Sequence, residues 1–304
     1  MPRNLKVTCI MLARNLVSQG YPFLEAILSV LPYCDELMIC EGYSDDETYT
    51  ILKKLQKIHE DKVFIVRKKW VSNKRIKSHV FSDLLNEIID ESSGDYILKL
   101  DPDHVFERDT IEYLLFLASM YRNVKIFYAP YLYFVGNWVI KPELWAPTFF
   151  KKDDHIRLLG DSGSVFFTPL GILENIIKNI RHPLNVLKSI HYAYVPKPVH
   201  HYYAIFPGNY IRRIEEHKKF YNKHNWTYYD EILKRIKGIK NWDTFWRIIA
   251  KELVEKTWEW YGPRKVIKYT GELPTLIKPL WGEWKYRVRF ELISSEGSED
   301  GGAT

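Results

Sequence analysis

Four short apolar runs, residues 5–12, 37–40, 63–66 and 96–100, alternate with stretches of helical spacing at residues 23–31, 46–55 and 80–89. Runs of four to eight apolar residues bounded by turn residues read as buried strands, and the intervening periodicity reads as amphipathic helix. Ser44 or Asp45 supplies an N-cap for the second of those helices, and Ser93-Gly94 closes the third. A β-α-β-α-β-α-β order of this kind predicts a mostly parallel, doubly wound sheet with helices on both faces. In such a sheet ligands bind beyond the carboxyl ends of the strands, which brings Arg14-Asn15, Glu41 and Asp101–Asp103 around one crevice. No G-x-G-x-x-G follows the first strand and no G-x-x-x-x-G-K-[ST] occurs, so the dinucleotide and P-loop modes of phosphate binding lose their main support.

After residue 204 the pattern changes to long helical stretches at residues 210–221 and 242–260, followed by a Gly/Pro-punctuated segment at 262–284. The expected organisation is a catalytic domain over residues 1–204, a helical, aromatic-rich extension over 205–290, and a disordered tail over 291–304. Charge follows the same division. Residues 1–204 hold 25 Lys+Arg against 24 Asp+Glu, residues 205–290 hold 19 against 10, and residues 291–304 hold four acids only, so the basic excess lies in the extension.

The uncharged tract between Lys125 and Lys141 is interrupted by Pro130, Gly136 and Asn137 and falls short of the ~20 apolar residues of a membrane span. The apolar stretch at residues 7–13 is too short and too poorly flanked for a signal peptide. Cys9, Cys34 and Cys40 form an odd set without a C-x-x-C pair, so neither a disulfide framework nor a zinc ribbon is expected, and a reducing, cytoplasmic setting fits best.

The segment Gly94-Asp95-Tyr96-Ile97-Leu98-Lys99-Leu100-Asp101-Pro102-Asp103-His104 is a buried strand that delivers two carboxylates to its open end. That suits a hard divalent cation, because Mg²⁺ and Mn²⁺ take oxygen ligands, a few from protein and the rest from water or a diphosphate. A bare Asp-x-Asp is also an ordinary turn after a strand.

The surrounding sequence gives the motif its context. From Val7-Thr8-Cys9-Ile10-Met11-Leu12-Ala13-Arg14-Asn15, through Leu37-Met38-Ile39-Cys40-Glu41-Gly42-Tyr43-Ser44-Asp45-Asp46-Glu47-Thr48 and Asn86, to Asp101-Pro102-Asp103, the chain resembles the family 2 glycosyltransferases of GT-A fold. Glu41 stands where that family usually has Asp, Tyr43 and Glu47 where glycines are common, and Leu85 where Arg often precedes the Asn. The resemblance implies a Rossmann-like GT-A core, a nucleotide-diphosphate-sugar donor, and Mn²⁺ or Mg²⁺ as cofactor. By the same resemblance Arg14, Asn15, Glu41, Asp46, Asn86 and Asp101 lie around the donor, with Asp46 and Thr48 alternatively capping a helix. The cation would be held by Asp103, with Asp101 nearby and His201 or His200 assisting from the segment Val199-His200-His201-Tyr202-Tyr203. If that segment is a strand, its two imidazoles point to opposite faces and only one reaches the metal.

Farther along, residues 148–161 resemble the family's acceptor-side hairpin, and Asp161, between Gly160 and Ser162-Gly163, is the candidate base for the acceptor hydroxyl, or else a loop acid in a turn. Arg14, Lys74, Arg75 and Lys77 are either phosphate contacts or surface charge. The acceptor would be a glycan, a protein or a lipid-linked group; no nucleic acid is expected. Two rivals stay open: a nucleotidyltransferase of the same fold, although its Gly-rich opening loop is missing from Arg14-Asn15-Leu16-Val17-Ser18, and a non-catalytic glycan- or nucleic-acid-binding module that uses the aromatics of residues 205–290.

Ile232, Leu233, Ile236, Ile239, Trp242, Phe245, Trp246, Ile249 and Leu253 recur at helical spacing, as a packed face requires. An alternative is an interfacial surface with Trp on one face and Lys/Arg on the other, formed by Trp226, Trp242, Trp246, Trp258, Trp260, Trp281 and Trp284, which would make the enzyme peripheral on the inner face of the membrane. The interfacial reading predicts that the purified protein sediments with anionic vesicles more than with neutral ones and that salt weakens the binding. Equal, negligible sedimentation with both vesicle types would defeat it.

Overall fold

The computed structural model describes residues 5–70, 79–159, 164–167, 192–220, 224–261 and 263–280. Lys74, Arg75, Lys77, Asp161, Trp281, Trp284 and the tail over 291–304 lie outside them, as do the side chains of Trp226, Trp258 and Trp260.

The first half is the predicted alternation. Strands β1 (Val7–Ala13), β2 (Glu36–Glu41), β3 (Val63–Arg67) and β4 (Tyr96–Lys99) are interleaved with helices α1 (Leu16–Gln19), α2 (Phe23–Val30), α3 (Thr48–Ile58) and α4 (His79–Glu91). These strands pair in parallel in the order β3-β2-β1-β4. Successive side chains of a strand point to opposite faces, and β1 divides its residues accordingly. Val7, Cys9, Met11 and Ala13 pack with the cores of α2 and α3, whereas Ile10 packs with Leu84, Leu85 and Ile88 of α4. Burial on both faces explains why β1, β2 and β4 read as continuous apolar runs.

Beyond β4 the sheet becomes mixed. Strand β5 (His104–Phe106) and helix α5 (Arg108–Met120) lead into the long hairpin of β6 (Ile126–Val135) and β7 (Trp138–Lys151). Strand β7 docks against β4, and the sheet continues as β4-β7-β6-β11-β5. The uncharged tract of the sequence is therefore this hairpin, and no helix among the described residues is long and apolar enough to cross a membrane. Strands β8 (Ile156–Leu159) and β9 (Ser164–Phe167) form a separate antiparallel pair, while β10 (Tyr192–Tyr194) and β11 (Val199–Ala204) both run parallel to β6.

The extension supplies helices α6 (Pro207–Phe220), α7 (His224–Ile236) and α8 (Trp242–Tyr261) and, in addition to the expected helices, strand β12 (Lys265–Lys268), which pairs antiparallel with β7. Ile232, Ile236, Phe245, Trp246 and Ile249 are buried against Val135 and Ile140 of the β6–β7 hairpin, with Leu233, Ile239, Trp242 and Leu253 at the margin. Fully burying a large apolar side chain contributes about 2 kcal/mol, so five of them fix the extension to the sheet. Gly136, at φ 55 in the hairpin turn, lies directly under the Trp246 indole, where any Cβ would overlap the ring.

One expectation is corrected. Cys9 on β1 and Cys34, in the turn before β2, are joined by a disulfide with Cα atoms 5.8 Å apart, leaving Cys40 as a buried free thiol. Counting cysteines misses it because the two meet only through the parallel pairing of β1 with β2. The bond closes a loop with a sequence separation of 25. Chain-entropy arguments then give about 3 kcal/mol of stabilisation. Urea unfolding should show that loss on adding reductant or in Cys34→Ser, and the denatured, unreduced protein should titrate one thiol. Three titratable thiols, or an unchanged midpoint, would contradict the bridge.

Candidate active site

Three parallel strands end side by side, and each delivers a polar residue. After β1 the chain turns at Asn15, a buried residue held at φ 52, a left-handed conformation that Asn tolerates better than most residues. The Asn15 side-chain oxygen accepts from the Asp45 N–H at 2.9 Å, and Arg14 Nη1 donates to the Gly42 carbonyl at 2.9 Å. Strand β2 ends in Glu41, fully buried, whose two oxygens accept from the Ser44 N–H at 2.6 Å and from Arg67 Nε at 2.7 Å. Arg67 lies between the rings of Tyr43 and Tyr49, 4.2 and 4.0 Å from their centroids. Asp46 accepts from the Ser18 and Thr48 N–H groups at 2.8 and 2.9 Å, so its carboxylate ties α1 to the start of α3. Thr48 Oγ1 accepts from the Leu16 N–H at 2.8 Å and completes that tie.

The third strand end carries the Asp-x-Asp turn. The His104 N–H donates to the Asp101 carbonyl at 2.9 Å, which reverses the chain into β5. Strand β5 pairs antiparallel with β11 in a register that sets His104 opposite His201, and their ring centroids lie 4.7 Å apart. Asp103 is 4% exposed; its Oδ2 accepts from Arg213 Nη2 at 2.6 Å and lies 3.3 Å from His201 Nε2. Asp101 Oδ2 is 2.5 Å from Lys99 Nζ and 3.5 Å from His104 Nε2. His200, one residue along β11, points to the other face, toward Phe134 and Glu107. Strand alternation thus selects His201 over His200 as the imidazole beside Asp103.

Electrostatics follow from burial and these partners. Burial alone would raise the Asp103 carboxyl, but His201 and Arg213 outweigh it and hold the group well below the usual carboxylate range. Burial pushes the His104 imidazole down to about 3, against the opposing pull of Asp101, and the His200 imidazole down to about 4. Arg213 reaches in from α6. Besides Asp103 it donates to the Tyr203 carbonyl, and its guanidinium stacks 3.9 Å over the ring of Tyr21.

Asp103, His104 and His201 offer ligand atoms that all lie within 4.8 Å of one another, and Nδ1 of both imidazoles is buried without a hydrogen-bond partner. One carboxylate and two imidazoles, with Asp101 alongside, form a donor set that could hold a divalent cation. Asn86 does not join this cluster. Its side-chain amide donates to the Leu158 carbonyl at 3.0 Å and accepts from the Leu158 N–H at 2.9 Å, so α4 holds β8, the strand that leads toward residue 161. Asp161 itself is outside the described residues.

Sequence reasoning missed Lys99, His104, Arg67 and Arg213. A lysine inside an apolar strand and a histidine next to Asp103 were visible signals. Arg213 carried none, since 110 residues separate it from its partner.

The family model described as glycosyl transferase family 2 matches residues 21–177. Among solved structures, glucosyl-3-phosphoglycerate synthase from Mycobacterium tuberculosis, in complex with Mn²⁺, uridine diphosphate and glucosyl-3-phosphoglycerate, is similar at 17% identity over 42% of this chain and 44% of that one, with a TM-score of 0.31. The match therefore spans under half the length of that enzyme. TarS of S. aureus, residues 1–349, is similar at 12% identity over 84% of this chain and 73% of that one, with a TM-score of 0.41. A search of curated proteins found no match. With the family model covering more than half of the sequence and the motif strands arranged as that family's resemblance implied, the chain belongs to glycosyl transferase family 2.

Proposed function

We propose that this protein transfers a sugar, of hexose type, from a nucleotide-diphosphate-sugar donor to an acceptor hydroxyl, with inversion and with the help of Mn²⁺ or Mg²⁺. The observation that carries the reading is the convergence of Asp103, His201 and His104 at the mouth of the parallel sheet, beside the strand ends that present Asn15 and Glu41. Ligands of open α/β sheets bind at this edge.

Asp103 and His201, with His104 beside them, would hold the cation, and Arg213 and Lys99 fix the two carboxylates of the motif. When bound, such a cation supplies Lewis-acid neutralisation of the charge that develops on the leaving diphosphate. Asn15 and Glu41 frame the nucleoside end of the crevice. Arg14 is tied to the Gly42 carbonyl and so braces the loop around that end. On the acceptor side Asp161 takes the hydroxyl proton while the acceptor oxygen bonds to the anomeric carbon and the bond to the diphosphate breaks, which inverts that carbon. The acceptor is a glycan, a protein or a lipid-linked group, the last of which would favour work at the inner face of the membrane.

Asp103 is a buried partner of Arg213, so Asp103→Ala leaves a buried guanidinium unpaired at a cost of about 3–5 kcal/mol. Asp103→Asn, which keeps the shape and an acceptor, is the cleaner variant. In a panel of nucleotide-sugars with Mn²⁺, the wild type should transfer or hydrolyse a donor, chelator should abolish it, and Asp103→Asn should lower turnover by about 100-fold or more. Asp161→Asn should lower kcat by about 10²–10⁴-fold with the donor KM unchanged. No turnover with any donor would favour a binding module, and full activity of Asp103→Asn would remove the metal from the mechanism.

A further inference from the structure

The carboxylates of the Asp-x-Asp turn are already neutralised from within the chain. Asp103 meets Arg213 with both side chains 6% exposed, and Asp101 meets Lys99, whose side chain is 5% exposed. Arg213 is further fixed by the Tyr203 carbonyl and by Tyr21, whose ring it covers at 3.9 Å, so the guanidinium is packed in place. An arginine cannot discharge itself by losing its proton. Asp103 therefore faces a permanent cation in a pocket that water screens poorly, Asp101, with its side chain 36% exposed, faces the Lys99 ammonium, and a dication arriving alone meets repulsion from both. A diphosphate arriving with it restores the balance.

From this geometry we propose that Arg213 is a positioning residue that couples cation binding to donor binding: by occupying Asp103 it keeps a free divalent ion out, and the ion is admitted only together with the donor's diphosphate. The inference rests on the metal-dependent reading given above and goes beyond it in assigning the control to a residue of α6. That residue lies outside the stretch matched by the family model, which ends at residue 177. The coupling thus comes from the extension, and the α6 helix that carries it is pinned to α1 by Asn209, which donates to the Ser18 carbonyl at 2.9 Å.

The experiment measures Mn²⁺ binding by the paramagnetic resonance of the free ion, without diphosphate and with UDP, GDP or pyrophosphate, in wild type, Arg213→Gln and Arg213→Lys, with folding checked by circular dichroism and thermal melting. Wild type should bind Mn²⁺ weakly alone and about tenfold or more tightly with a diphosphate. Arg213→Gln, which keeps a donor for Tyr203 without the charge, should bind Mn²⁺ alone about tenfold more tightly than wild type, and the diphosphate effect should shrink by the same factor. Arg213→Lys should retain the wild-type pattern. Wild type that binds Mn²⁺ equally well without a diphosphate overturns the proposal whatever the variants do, and so does Arg213→Gln that folds yet binds the free ion no better. Mn²⁺ binding in no protein under any condition overturns both the proposal and the metal-dependent reading; a diphosphate-dependent wild type with an unresponsive Arg213→Gln overturns the proposal alone.

Discussion

An ionised carboxylate shut off from water must be answered by positive charge or by hydrogen bonds, and Asp103, with its side chain only 6% exposed, imposes that demand on the rest of the molecule. Its partners come from two elements distant in sequence, His201 on β11 and Arg213 on α6. Strand β11 reaches Asp103 because it inserts between β5 and β6, and α6 reaches it because the helices of the extension are anchored on the β6–β7 hairpin. Trp246, fully buried over Gly136, is the centre of that anchor. The extension is therefore a structural part of the site as well as an addition to the core.

The same rule repeats at the ends of β2 and β4. Glu41, at the end of β2, is answered by Arg67, its register partner on the neighbouring parallel strand β3. Asp101 is answered by Lys99 two residues before it, and Asp103 by Arg213. Glu41, Asp101 and Asp103 thus each have a cation within hydrogen-bonding distance before any ligand arrives. Such pre-formed pairs orient the oxygens and reduce the reorganisation required when an anionic ligand and its counter-ion bind.

The parallel half of the sheet was legible because its signals are local: apolar runs, helical spacing, and polar residues where the runs stop. Asp101 and Asp103 were legible because they sit at a strand end, and the choice between His200 and His201 reduced to strand alternation once β11 was in place. What escaped the sequence depends on contacts between distant segments. The Cys9–Cys34 bridge needs the β1–β2 pairing, Arg213 needs the docking of α6, and β12 needs the β6–β7 hairpin to pair with. Asp46, read as a donor contact or a helix cap, makes the cap contact at the α1–α3 junction, and Asn86, read as a donor contact, pairs with the Leu158 backbone in β8. Residue type and spacing could mark these positions as polar and near the crevice, but the hydrogen-bond partner is a property of the folded chain.

On the proposed function, the crevice at Asp103 takes a divalent cation together with a nucleotide diphosphate. The most direct measurement is anomalous scattering at the manganese edge from crystals grown with Mn²⁺ and UDP or GDP. One manganese peak is predicted at about 2.0–2.3 Å from an Asp103 oxygen and a nitrogen of His201 or His104, with the diphosphate completing its coordination. A diphosphate bound in the crevice without manganese at Asp103, or manganese at a site remote from Asp103 and His201, would contradict the claim.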